Sequence, residues 1–250
     1  MDIAGGTIFG FTLILTRIGA FFAASPLFSW QAIPMRSKVT VALILAAFFA
    51  ALTPLPTGPA TMSIVEATVR LADEAVYGLA LGLIAYVLLA VIRVAGGIIE
   101  QQAGLTMASV MDPFTDEGGQ PIGTLLEIFF VLLLFQTNGH HLLINILSRT
   151  FDGYAPGSSP TIAALAESVI RGGSVMLMLA LQLAAPILAA FLLLMVVMAF
   201  MARIAPEMNI LFLSLPLRCG VGLLMVGIFL PFMAAYLKAF TLWLNRLMPL

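Results

Sequence analysis

Residues 175–201 read VMLMLALQLAAPILAAFLLLMVVMAFM, twenty-seven consecutive positions without a single Lys, Arg, Asp or Glu. About 20 apolar residues suffice for a helix to cross the hydrocarbon core of a bilayer. This stretch therefore reads as a membrane helix. Outward from it, comparable apolar runs fall at 8–24, 39–52, 76–94, 125–147 and 210–247, which makes six in all. The run at 39–52 is short for a span. The run at 175–201 contains Pro186, and the last contains Pro216 and Pro231, so both are expected to be kinked or broken where proline removes a backbone donor.

Composition supports the same class. Of 250 residues, 62% are hydrophobic and 9% charged, and the mean hydropathy is +1.12. A soluble domain carries roughly 25% charged residues. The 11 Lys and Arg with 12 Asp and Glu are too few to clothe a soluble globule of this size. The expected fold is all-α, an integral membrane protein forming one membrane-embedded helical domain over 1–250. A net charge of -1 offers no field for nucleic acid and no basic tail for anionic lipid. Cys219 is the sole cysteine, so no intrachain disulfide forms. The start, Met1-Asp2-Ile3, lacks the basic region of a secretory signal, and the first helix is expected to be retained as an anchor. Arg36, Lys38, Arg93, Arg203 and Arg218 in one set of alternating loops balance Arg70, Arg149, Arg171, Lys238 and Arg246 in the other, so charge bias assigns no orientation.

Between the third and fourth runs lies 104–123, GLTMASVMDPFTDEGGQPIG, whose prolines, glycines and three acidic residues rule out a continuous helix. Residues 151–160 (FDGYAPGSSP) and 54–59 (PLPTGP) carry ordinary turn chemistry and read as connectors.

Catalytic groupings are scarce. His140 and His141 are adjacent, so their side chains diverge on a helix, and they read as a polar cap at a helix bend beside Asn138 and Gly139 rather than as metal ligands. There is no nucleophile elbow and no phosphate-binding glycine loop. We assign no catalytic, cofactor or metal site. Charges within or beside the apolar runs are more telling, because an ionised group near the bilayer centre costs at least ~2.5 kcal/mol and is kept with partners. Arg17, Arg93, Glu100, Glu127 and Arg203 are of this kind. They admit two readings, an ion or proton relay or pairs that lock helices and subunits together, and their single, scattered placement favours the second. Gly78 and Gly82, and the pair Gly96-Gly97, allow close helix approach.

Four pieces of sequence, in order, resemble one family. Residues 17–38 (RIGAFFAASPLFSWQAIPMRSK) contain an arginine, a Ser-Pro and the step Pro34, Arg36, Lys38. Gln102-Ala103-Gly104 precedes Met111-Asp112-Pro113. Asn138-Gly139-His140 precedes Leu142, Leu143 and Phe151. Arg203-Ile204-Ala205-Pro206-Glu207-Met208-Asn209 precedes Pro216-Leu217. Together they are similar to the FliR/SctT family of type III protein export gates. Where family members often carry Glu, this chain has Gly97, with Glu100 one turn later.

The resemblance implies a helical-hairpin subunit of a closed multi-subunit export gate in the bacterial inner membrane, at the flagellar basal body. It implies joining FliP- and FliQ-like membrane subunits, contacting an FlhB-like switch protein and an FlhA-like gate protein, associating with the export ATPase, and passing unfolded export substrates. It implies no enzyme activity and no cofactor. It makes 104–123 a plug, with Met107, Met111, Asp112, Pro113 and Phe114 as gating residues. Arg17, Pro34, Arg36, Lys38, Arg93, Glu100, Arg203, Pro206 and Asn209 become assembly residues. The alternative is an ion-coupled secondary transporter of a small solute, using Arg93, Glu100 and Glu127 around a helix broken at Pro186.

Overall fold

The computed structural model describes residues 2–25, 34–53, 63–105, 120–205 and 210–248, and every regular element among them is helical. In chain order these are α1 (Asp2–Ala24), α2 (Met35–Leu52), α3 (Ile64–Ala103), α4 (Pro121–Gln136), α5 (Gly139–Gly153), α6 (Ile162–Ile204), α7 (Ile210–Phe229), a 3-10 turn (Leu230–Phe232) and α8 (Met233–Leu247). Five of them contain windows long and apolar enough to cross a membrane, and α4 with α5 supplies a sixth if the pair is one broken span. The molecule is an all-α integral membrane protein.

Proline acts unevenly along the chain. Helix α6 continues through Pro186 and α7 through Pro216, so of the expected kinks or breaks neither is a break. One proline removes a single backbone bond, and the long apolar turns on either side retain theirs, so the helix survives. The break comes instead at Pro231, inside the 3-10 turn that separates α7 from α8. The expected run 125–147 is two helices, parted at Asn138, whose φ of 58° lies in the left-handed region. That is the bend expected beside the two histidines. Two connectors are shorter than the sequence suggested, one beginning later and the other ending sooner. Residues 151–153 close α5, and 121–123 already form the first turn of α4, because Pro121 has a φ suited to the first helical position and needs no N–H there.

Helices α3 and α6, of 40 and 43 residues, are each about 60 Å or more in length, twice the thickness of a hydrocarbon core. The fold divides into two compact units. One comprises Met1–Leu88, Thr137–Ser174 and Phe240–Leu250; the other comprises Leu89–Gln136 and Val175–Ala239.

In the first unit α1 packs on α2 and on the early part of α3. A Cβ on Gly78 would stand 2.3 Å from the Arg17 carbonyl oxygen, and one on Gly82 would stand 2.7 Å from that of Phe21. Both are closer than any side chain tolerates, so the Gly78 to Gly82 step is what lets the two backbones touch. Leu13, Ile14, Ile18 and Phe21 from α1, with Tyr77, Leu81, Ile84 and Leu88 from α3, fill the core between them. In the second unit the core is built from Val91, Ile92, Ala95 and Ile99 of α3, Leu126, Phe130 and Leu134 of α4, and Ala184 and Ile187 of α6.

Much apolar surface stays uncovered. Ile44, Phe48 and Leu52 of α2, Leu192, Leu193 and Phe200 of α6, and Phe212, Leu223 and Leu224 of α7 are all more than half exposed. Such a surface belongs in lipid or against other apolar helices.

Candidate functional site

Two charged nodes organise the chain, one within each unit. In the first, Arg17 of α1 is completely buried and its partner Glu74 of α3 is 1% exposed. Arg17 Nε donates to Glu74 Oε2 at 2.5 Å and Nη2 donates to Oε1 at 2.9 Å, a bidentate fork. The remaining donors go to backbone. Nη1 reaches the carbonyls of Thr150 at 3.1 Å and Tyr154 at 3.0 Å, and Nη2 reaches that of Ser158 at 3.2 Å. A guanidinium has five N–H groups, and all five are used. Its flat faces are covered by the rings of Phe151, at 4.5 Å, and Tyr77, at 4.7 Å. Glu74 is held in turn by the amide of Gly157, which donates to Oε1 at 2.7 Å from a backbone with φ of 89°.

This arrangement caps α5. The Thr150 and Tyr154 carbonyls lie at that helix's C-terminal end, where the helix dipole favours a cation. Arg17 thus closes α5 and shapes the 154–158 turn in one contact set. The sequence singled out Arg17 and missed Glu74, although a signal was present. Glu74, Gly78 and Gly82 recur every four residues, which places them on one face of α3, the face that meets α1.

The second node surrounds Glu100 of α3, also 1% exposed. Its carboxylate Oε1 accepts from the backbone amides of Ile122 and, at 3.2 Å, Gly123, the second and third residues of α4. Pro121 has no amide hydrogen, and the amide of Thr124 bonds the Gln120 carbonyl at 2.8 Å. Every amide at the start of α4 is therefore accounted for, with the cap supplied by another helix rather than by the preceding residue.

The same residue also closes the end of its own helix. The Glu100 carbonyl accepts from the Leu105 amide at 3.2 Å, and the Gln101 carbonyl accepts from the Gly104 amide at 3.3 Å. With Gly104 at φ 76°, this is a Schellman stop. Close backbone approach fixes the geometry further, since a Cβ on Gly96 would sit 2.3 Å from the Gly123 Cα. One turn along, Arg93 meets Glu127 of α4 at 2.9 Å through Nε and 2.6 Å through Nη2. This pair is looser than the first, with side chains 54% and 25% exposed.

The acids and bases named for a transporter thus have structural partners within this unit. Arg93 and Glu100 do not bond each other; each engages the start of α4 separately. Pro34 precedes α2, and on its first turns Arg36 is exposed and Lys38 half-buried. Arg203 is exposed in the last turn of α6. Met107, Met111, Asp112, Pro113, Phe114, Pro206 and Asn209 lie outside the described residues.

An apolar helical scaffold whose few internal charges cap and pair its own helices defines an all-α integral membrane protein. The family model described as "Bacterial export proteins, family 1" matches residues 8–242, and the chain belongs to that family. It is 31% identical to the flagellar biosynthetic protein FliR of Bacillus subtilis over 86% of this chain and 84% of that protein. It is 27% identical to the FliR of Escherichia coli, covering 89% and 84% respectively. It is also 26% identical to the Yop proteins translocation protein T of Yersinia pestis, over 91% of this chain and 88% of that one.

Proposed function

We propose that the chain is a structural, pore-forming subunit of a type III protein export gate, serving flagellar assembly and the passage of unfolded substrates. The family match over nearly the whole length carries this reading, and the flagellar names of several relatives direct it to the flagellum. In this reading the chain sits in the bacterial inner membrane at the basal body. FliP- and FliQ-like subunits cover its exposed apolar faces, and FlhB- and FlhA-like proteins dock on the assembled gate. It makes and breaks no covalent bond.

Sealing is the chemistry such a subunit supplies. An apolar constriction blocks ions because stripping their water is costly. A plug over 104–120, ahead of the first turn of α4, can move aside at modest cost, since no long helix has to unwind. Capping at both ends of that connection supports the reading, because a plug needs fixed roots. Removing residues 106–120 is expected to leave assembly with the sister subunits intact and to make reconstituted complexes leak small ions. Complexes that assemble without those residues and conduct no more than unaltered ones would contradict the plug.

A further inference from the structure

Both roots of the 104–120 connection converge on one residue. Where the chain leaves α3, the Glu100 backbone carbonyl takes the Leu105 amide; where it enters α4, the Glu100 carboxylate takes the amides of Ile122 and Gly123. The carboxylate is buried and the approach around it is tight, with Gly96 against Gly123 and Gly97 against the Gln120 side chain. An N-cap from the preceding residue would have held the start of α4 equally well without tying it to α3. A cap reaching across from α3 fixes the distance between exit and entry instead.

We propose that Glu100 is a positioning residue that sets the resting place of the plug, by holding the two ends of the 104–120 connection at a single point. The proposal rests on the plug reading above. Without the carboxylate, two buried amides at the start of α4 lose their acceptor. The first turn then opens more often, and the entry root moves independently of the exit. The buried Leu126, Phe130 and Leu134, packed with Ile92, Ala95 and Ile99, keep the rest of α4 against α3, so the effect is confined to the root.

The test uses complete gate complexes in liposomes, comparing unaltered protein, the 106–120 deletion, Glu100→Leu and Glu100→Gln. Leucine fills the buried space without an acceptor; glutamine keeps one neutral acceptor. Charge-assisted bonds are about twice as strong as neutral ones, so the losses should be graded. The expected result is a small-ion leak in Glu100→Leu approaching that of the deletion, with Glu100→Gln between it and the unaltered complex. Hydrogen exchange at Ile122 and Gly123 is expected to quicken by about tenfold or more in Glu100→Leu. A sealed Glu100→Leu complex beside a leaking deletion overturns the proposal and leaves the plug reading standing. A sealed deletion overturns both. Should Glu100→Leu fail to assemble, Glu100→Gln decides: a leak that rises with exchange at the two amides supports the proposal, and a sealed complex overturns it.

Discussion

Arg17 and Glu100 are both buried charges that close a helix end, yet they are built on opposite plans. Arg17 lies in a closed network, with all five donors spent, its guanidinium covered by the rings of Tyr77 and Phe151, and its counter-ion itself held by a backbone amide. Glu100 meets no cation at its carboxylate among the described contacts; it is held by two amides and by the helix dipole behind them. The first plan suits a permanent joint. The second pins one helix end to another helix with no counter-ion to position.

The sharpest way to break this contrast is Arg17→Met. Removing one partner of a buried pair costs about 3–5 kcal/mol, and thermal unfolding of the purified complex should show the loss, or the chain should fail to accumulate. The double change Arg17→Met with Glu74→Met is expected to recover only part, because the Thr150, Tyr154 and Ser158 carbonyls and the Gly157 amide still lack partners. Exchanging the charges, Arg17→Glu with Glu74→Arg, should rescue nothing, since a carboxylate cannot donate to those carbonyls. Full recovery by either double variant would show that the backbone contacts do not matter.

Gly96→Val comes next. Its Cβ has no room against the Gly123 backbone, and overpacking of this kind costs about 1–3 kcal/mol. The expected readout is a lower unfolding midpoint together with an ion leak, as α4 is pushed from α3. An unchanged midpoint would mean that the close approach is dispensable.

Arg93→Ala should cost no more than about 1 kcal/mol, because the pair with Glu127 is substantially exposed and therefore screened by solvent. Here, unlike at Arg17, the charge exchange Arg93→Glu with Glu127→Arg is expected to restore stability. The same unfolding measurement checks both. Smallest is the effect of Arg36→Gln, an exposed change expected to leave the isolated chain's midpoint alone while lowering the yield of assembled complex, with the half-buried Lys38→Gln expected to follow it. A drop in the midpoint would place these side chains in the fold rather than at an interface.

The membrane class was legible in composition and in runs such as 175–201, because lipid imposes one demand, apolar length, that sequence displays directly. The helix bend at Asn138 was legible too, from the polar cluster interrupting an apolar run. Helix continuity was less so. Pro186 and Pro231 look alike in sequence; one lies mid-helix and the other in a break, because the outcome depends on the bonding of the turns around them. The charged residues were found but not their partners. Arg17 meets Glu74 across 57 positions, and Glu100 caps a helix 22 residues away, pairings that only the packing of α3 on α1 and α4 reveals. Glu74 went unnoticed as a functional residue because it stands just before the apolar run at 76–94, where a carboxylate looks like an ordinary end of a span.

Sealing depends on the exposed faces of α2, α6 and α7 finding cover in sister polypeptides. The most direct measurement is the composition and mass of the complex recovered when this chain is tagged and extracted in mild detergent from the cells that make it. Two smaller membrane proteins of the FliP and FliQ type, in a fixed ratio and in one closed particle, are the predicted result. A lone chain that takes up a small solute unaided in liposomes would contradict it.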